Sequence, residues 1–471
     1  MEQDNRQLVV SCTNRATLEQ AWFNEARTRK PQTFKADAAG VVDPTDGGRR
    51  CDFCNWQQLT AEDTWGRVER PHAVTGSNLF KYGEPAHGLV LFKHHDPLAF
   101  NRDQLYDFMA VSDGWFAAAA AAHGGGGGGA LHPFFIWNCG PRAGASQFHG
   151  HGQLMLTSVP VPAQARLDQQ AALHAAAHST PHNQPVGSAA AATAATAAAA
   201  TANGGVCYYR DLIRAHAAVG LARKVVVPRP QQPRATANGD GAAATANGCG
   251  SSYTENGSSS TSNGAAAAAA ATADHEHDVA WVLAHLAPQK DMEVIVIAGG
   301  SSSSPGSSSG GLSSPAFVAA LHASLRALID GLGVQTFNCG VMNVPLQPPL
   351  QPEQTLQPPA AAAAAVGGLQ GAAGGGGDDE DGWLGLPPLP RSLASGGGDG
   401  AVGAAGGSCW RPMMARLVSR GKWAAPASDF GCLEVVGHAS IGHTDPFVLI
   451  RAVDSQLAAA GVAAAGGPAG A

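Results

Sequence analysis

The chain has 471 residues, with 29 basic against 36 acidic for a net charge of −7, and 60 glycines plus long alanine runs that inflate its length and its 44% hydrophobic content. The charges are mixed, so no basic stripe points to nucleic acid and no Lys/Arg block points to an anionic membrane surface. No apolar run reaches the roughly 20 residues of a bilayer span. The start, MEQDNRQLVV, lacks the cationic and apolar stretches of a secretory signal, and nine scattered cysteines do not make a disulfide framework. A cytoplasmic location follows as the expectation.

Patterned segments alternate with filler. Residues 10–30 read as an amphipathic helix. RRCDFCNW places Cys51 and Cys54 at Cys-x-x-Cys spacing. HGLVLFKHH (residues 87–95) reads as a buried strand, RDQLYDFMAVSDGWFAAAAAA as a helix, and HPFFIWNCG as a second strand. GASQFHGHGQLMLTSVPVP continues as turn and strand. Residues 186–206, 234–273, 299–313 and 346–407 are rich in Ala, Ser, Gly or Pro. They lack the aliphatic residues that would offset the entropy of ordering a backbone, and read as unstructured surface insertions. Patterning returns with the strands HDVAWVLAHL and MEVIVIA, the helix PAFVAALHASLRALIDGL, then VQTFNCGVMNVPL, RPMMARLVSRGKW and SDFGCLEVVG.

FIWNCGPRAG and QTFNCGVMNV share Asn-Cys-Gly, with Asn138 and Asn338 in equivalent places, and each follows a strand and a helix. This repeated order predicts an internal duplication. The second copy lacks His-x-His, so one half is expected to carry the chemistry and the other to support it. The mixture of strands and helices makes the fold class α+β.

In NCGPRAGASQFHGHGQ, a strand would place His149, His151 and Gln153 on one face and Gly150 and Gly152 on the other. The preceding turn, with Arg142 and Gly144, offers backbone amides and a charge for phosphate. Three readings compete. The histidines fall together by chance; they form a cupin-like metal pair, although Met155 and Leu156 stand where a carboxylate is wanted; or an imidazole attacks phosphorus and holds the group covalently.

The run resembles the active-site motif of the histidine triad superfamily, in its nucleotidyltransferase and phosphorylase branch, which includes diadenosine tetraphosphate phosphorylases and galactose-1-phosphate uridylyltransferases. Asn138, Ser146, His149, His151 and Gln153 fall at the family's spacing. The resemblance implies that His151 is the nucleophile, that Gln153 bonds a non-bridging phosphate oxygen, and that Ser146 and Asn138 position phosphates. It implies nucleotide contacts at Asn78 and Lys81. It also implies a structural zinc held by Cys51, Cys54, His95 (or His94) and His149, a feature of the hexose uridylyltransferases rather than the dinucleoside phosphorylases. No organic cofactor is implied. Gln153 stands where the hydrolytic branch has a third histidine, and an amide is neither acid nor base. Transfer to a phosphate is therefore expected over hydrolysis.

The expected architecture is two histidine-triad-like halves with mostly antiparallel sheets and flanking helices. They are a catalytic half at 1–165 and a second half at 274–345 and 408–455, separated by insertions at 166–273 and 346–407. The expected partners are a nucleotide and inorganic phosphate or a sugar phosphate, without nucleic acid or membrane. The expected reaction is phosphorolysis of dinucleoside polyphosphates, with nucleoside-diphosphate sugars as the alternative. A non-catalytic nucleotide- or metal-binding protein is the alternative of another class. Arg416, Arg420 and Lys422 read as a solvated basic edge that could also reach phosphates. A kinase reading of Asp429-Phe430-Gly431 fails for want of the other kinase motifs. The base, the donor and the oligomeric state are left open.

Overall fold

The computed structural model describes residues 8–24, 43–124, 130–179, 206–228, 277–301, 310–347, 410–424, 431–435 and 437–466. In chain order the elements are β1 (Val10–Thr13), β2 (Gln20–Phe23), α1 (Trp56–Leu59), β3 (Ala73–Ser77), β4 (Pro85–Phe92), α2 (Arg102–His123), β5 (His132–Cys139), β6 (His151–Thr157), α3 (Pro162–Ser179) and α4 (Tyr208–Ala218). They continue with β7 (Ala222–Pro228), β8 (His277–Ala284), β9 (Val294–Ser301), α5 (Pro315–Arg326), β10 (Thr336–Met342), β11 (Met414–Gly421), α6 (Cys432–Val435), β12 (Ala439–Gly442), α7 (Pro446–Ala459) and β13 (Ala463–Ala465).

Ten strands form one sheet in the order β13-β7-β8-β9-β11-β10-β5-β6-β4-β3, with every neighbouring pair antiparallel. The predicted repeat is visible in that order. The unit β3-β4-α2-β5-β6 recurs as β8-β9-α5-β10-β11, and the units join through β5 and β10. Asn138 lies directly opposite Asn338 at this seam. The fold class is α+β, as read from the sequence.

Alternation along the strands decides which face meets what. Phe92, Trp137, Phe337 and Leu417 point toward α2 and α5 and form the main core with Phe108, Phe317 and Leu321. Trp137 meets Phe337 edge-on across the seam at 5.1 Å. Each such fully buried side chain contributes about 1.5–3 kcal/mol. On the opposite face, α3 and α4 cover β8, β9 and β11 through Leu167, Tyr209 and Ile213 against Trp281, Ile297 and Met414. That cluster reaches β5 only through Phe134, and farther along the same face His87, Asn138, His151 and Gln153 stand among Leu89, Leu91 and Ile136.

Two expectations are corrected. Residues 10–23 form the β1–β2 hairpin, not a helix, and β2 pairs in parallel with β12. The cause is local: Asn14 Oδ1 accepts from the Ala16 and Thr17 amides at 3.0 and 3.2 Å, and Leu18 takes φ +61°, so the chain reverses. Residues 25–30 of that reading lie outside the described residues. The stretch 166–273 is also more than an insertion, because most of α3, all of α4 and β7 fall within it. Alanine dilutes the apolar pattern of α3, while α4 and β7 are short patterned pieces between low-complexity stretches. The filler assigned to 234–273 lies outside the described residues, as do residues 186–205 and 348–407.

Candidate functional site

β4, β5 and β6 lie side by side, and the site occupies their open face. Continuing the register in which Ile136 pairs with Gln153 brings Asn138 opposite His151. The glycines between the histidines face the core: a Cβ on Gly150 would lie 2.9 Å from the Phe92 ring and 3.2 Å from Pro97 Cα. The His-Gly-His spacing thus meets a packing requirement as well as a chemical one.

His151 is buried, and its Nδ1 lies 2.8 Å from the His149 carbonyl. A carbonyl only accepts, so Nδ1 carries the proton and Nε2 keeps its lone pair. Burial pushes the His151 pKa down, which holds the ring neutral. Phe53 stands edge-on to both imidazoles, 5.2 Å from His151 and 5.8 Å from His149.

Gln153 Oε1 accepts from the Tyr82 hydroxyl at 2.5 Å and lies 3.0 Å from His87 Nε2. The Tyr82 amide donates to His87 Nδ1 at 3.2 Å, which places the His87 proton on Nε2 and makes it a second donor to Gln153. With its oxygen held twice, Gln153 turns its NH2 group outward. Asn78 lies beside this cluster: its Oδ1 accepts from the Phe80 amide, so its Nδ2 faces His87 Nε2 at 3.0 Å as donor to donor, a contact and not a hydrogen bond. Lys81 is exposed at the rim, near enough to add to the burial that pushes the His87 pKa down.

The turn after β5 differs in detail from the expected cradle. The amides of Ala143, Gly144 and Ala145 donate to carbonyls within the turn, at 3.0–3.2 Å. Gly144 takes φ +88°, and Ser146 is exposed just beyond. Arg142 donates from Nε to the Arg420 carbonyl at 3.0 Å, which ties the turn to β11.

Cys51, Cys54, His95 and His149 converge from three places in the chain, with their ligand atoms within 4.8 Å of one another. His149 Nε2 donates to the Phe92 carbonyl at 2.7 Å, leaving the Nδ1 lone pair 3.6 and 3.5 Å from the two sulfurs. His95 Nε2 is held by Asp43 at 3.1 Å and Thr45 at 3.0 Å, and its Nδ1 is 3.3 Å from Cys54 Sγ. A tetrahedral zinc with ordinary bond lengths separates sulfur and nitrogen ligands by roughly 3.5 Å. The donor set therefore fits zinc, and the carboxylate behind His95 is the usual outer partner of a ligating imidazole. Burial, with Cys51 alongside, pushes the Cys54 thiol up to about 11, a state that a cation between the sulfurs would reverse. His94 is not in this cluster; its ring tilts against Phe92.

The second half has lost the corresponding groups. Asn338 pairs with Val418, so Val418 occupies the place of His151, and Arg416 and Arg420 flank it where His149 and Gln153 flank His151. Arg416 is bound internally by Glu19 and Glu293 rather than facing substrate. Arg420 donates to Asn338 Oδ1 at 2.8 Å, and Lys422 is exposed. Asp429 and Phe430 lie outside the described residues. A cavity of about 820 Å³ between β1, α3 and α4 contains none of the residues singled out from sequence. Sequence reasoning missed Tyr82, His87, Asp43, Phe53 and Asn338 as site components. For Tyr82 and His87 a signal existed, since both flank the Asn78–Lys81 stretch.

No described helix is long and apolar enough to cross a membrane. No family model and no curated protein matches the chain. Solved structures that are similar to it include an ADP-glucose phosphorylase from Arabidopsis thaliana with bound ADP-glucose, 12% identical over 95% of this chain and 98% of that chain, with a TM-score of 0.48. A uridylyltransferase is 9% identical over 96% and 99%, with a TM-score of 0.43. A yeast Ap4A phosphorylase in complex with AMP is 19% identical over 34% and 45%, with a TM-score of 0.19. At these values the chemistry has to be argued from the residues themselves.

Proposed function

We propose that this protein is a nucleotidyltransferase that works through a nucleotidyl-histidine on His151. The observation that carries this reading is the bond from His151 Nδ1 to the His149 carbonyl, which leaves Nε2 unprotonated with a lone pair to offer. Nε2 attacks the α-phosphorus of the donor. The bond from phosphorus to the leaving phosphate oxygen breaks, and its electron pair departs with that oxygen. An acceptor phosphate oxygen then attacks the same phosphorus, the P–N bond breaks, and its pair returns to Nε2. The outward NH2 of Gln153 and the amide of Asn138 are the donors for the charge that develops on the non-bridging oxygens.

Gln153 can neither take nor give a proton, so water is a poor acceptor and an already ionised phosphate is a good one. The preferred reaction is therefore phosphorolysis of a dinucleoside polyphosphate: diadenosine tetraphosphate and phosphate give ATP and ADP. The cysteine–histidine cluster supports a second reading, in which the donor is a nucleoside-diphosphate sugar and the acceptor is phosphate or a sugar phosphate. Cys51, Cys54, His95 and His149 would hold zinc, whose contribution when bound is to anchor the strand that carries His151.

The test is intact-protein mass spectrometry at mildly alkaline pH, because phosphoramidates are acid-labile. The protein is mixed separately with diadenosine tetraphosphate, ADP-glucose, a GDP-sugar and UDP-glucose, beside His151→Ala. The expected result is one nucleoside-monophosphate adduct, absent from the variant, whose mass names the base. Folded protein with no adduct from any donor refutes the reading.

A further inference from the structure

The centre of the sheet holds a chain of four groups whose direction can be worked out. Arg420 Nη1 lies 2.8 Å from Asn338 Oδ1; Asn338 Nδ2 lies 2.7 Å from Asn138 Oδ1 and 2.8 Å from the Ala143 carbonyl. An amide can be turned either way, but the two ends of this chain cannot. A guanidinium only donates and a backbone carbonyl only accepts. Arg420 therefore requires the oxygen of Asn338, and Ala143 requires its NH2. That NH2 in turn requires the oxygen of Asn138. The Asn138 NH2 is left on the far side, toward β6 and His151, as a donor.

We propose that Asn338 is a positioning residue for the catalytic half, locking Asn138 as a hydrogen-bond donor to the substrate phosphate and pinning the turn at Ala143. Arg420 sets its direction. The second half has Val418 in place of a nucleophile, yet its own Asn-Cys-Gly survives at the seam, where it lies opposite the first. Both N–H donors of Asn338 are engaged, by partners 200 and 195 residues away in sequence on β5 and the turn that follows it, and its oxygen is held by Arg420 of β11. Without it, the amide of Asn138 is free to turn its oxygen toward a phosphate, which repels it.

This inference rests on the nucleotidyl-histidine reading, and a double-mutant cycle tests it. The single-turnover rate of adduct formation is measured against donor concentration for wild type, Asn138→Ala, Asn338→Ala, Asn338→Asp and the double Ala variant. Asn338→Asp keeps the shape but cannot donate. The expected result is a loss in maximal rate on the order of 10² for Asn338→Asp and Asn338→Ala, with half-saturation changed less than about threefold. In the Asn138→Ala background, Asn338→Ala should then have little further effect. Equal losses in both backgrounds would show that Asn338 acts on the fold at large and overturn the proposal, as would an undiminished rate in Asn338→Asp. If wild type forms no adduct, that failure belongs to the nucleotidyl-histidine reading. The cycle is then read on ADP affinity by isothermal titration calorimetry, where non-additivity supports the proposal and additivity overturns it.

Discussion

His149 and His151 are joined directly: the Nδ1 of His151 lies 2.8 Å from the backbone carbonyl of His149, whose own ring faces Cys51 and Cys54. A residue of the cysteine–histidine cluster thus also orients the His151 ring. Any change that moves the His149 backbone moves the hydrogen bond that decides which nitrogen of His151 carries the proton.

Metal removal should therefore affect both stability and chemistry. Purified protein is expected to carry about one zinc per chain by elemental analysis, and Cys54→Ser to carry much less. Chelation should lower the melting temperature by several degrees and slow adduct formation. His151→Ala should keep its zinc, since His151 is not among the four ligands. Loss of zinc in His151→Ala would refute the assignment.

Tyr82→Phe removes one of the two donors that hold the Gln153 oxygen and leaves the ring in place. The expected cost is a fall in the maximal rate of adduct formation of about fivefold to tenfold, near the 1–1.5 kcal/mol of one hydrogen bond. Gln153→His should raise the fraction of adduct lost to water relative to phosphate, because an imidazole can relay a proton where an amide cannot. An unchanged partition would show that something other than Gln153 disfavours water.

The buried His216 should make the fold acid-sensitive. Its Nδ1 donates to the Leu212 carbonyl at 2.7 Å, and its Nε2 is approached by the Leu286 amide at 3.1 Å and by His285 Nδ1 at 3.2 Å. Burial, with His285 alongside, pushes its pKa down to about 3. The folded value lies below the unfolded value of about 6.5, so protonation favours the unfolded chain. The stabilisation is complete above about pH 6.5 and is lost as the pH falls from there toward 3. At pH 5.5 the loss is about 1.4 kcal/mol relative to pH 7.5 and above. Urea denaturation at saturating zinc should show a shallower fall for His216→Asn between these pH values; an identical slope in variant and wild type would count against this assignment.

Arg416 holds the N-terminal hairpin to the sheet by pairing with Glu19 from the β1–β2 turn and with Glu293 before β9. Burial alone would raise the Glu19 carboxyl, but the Arg416 guanidinium, helped by His285, more than offsets it and holds the group far below the usual carboxylate range. Arg416→Ala leaves the buried Glu293 and the half-buried Glu19 without their cation and should cost about 3 kcal/mol. Arg416→Ala combined with Glu19→Gln should recover part of that loss in urea denaturation. No recovery would mean that the arginine acts through packing alone.

The geometry of the central motif was legible in the sequence because it is local. His149, His151 and Gln153 share a face through the two-residue period of a strand, and the repeat of Asn-Cys-Gly reported the duplication before any strand order was known. The members of the cysteine–histidine cluster were also readable as residue types, but only the fold chose His95 over His94, by placing Asp43 and Thr45 behind it. The hairpin at 10–23 was misread because a side-chain turn at Asn14 overrode the apolar spacing. Asn338 was marked only by the repeat, Arg420 only as part of a basic edge, and Tyr82 and His87 only by flanking Asn78–Lys81: their contacts come from hydrogen bonds across strands, as far as 200 residues apart in sequence. Periodicity tells a side chain which face it shares, since that is set by the backbone of its own strand. Which neighbours it meets on that face, and so which way an amide points, depends on strand order, and that is decided only when distant segments pair.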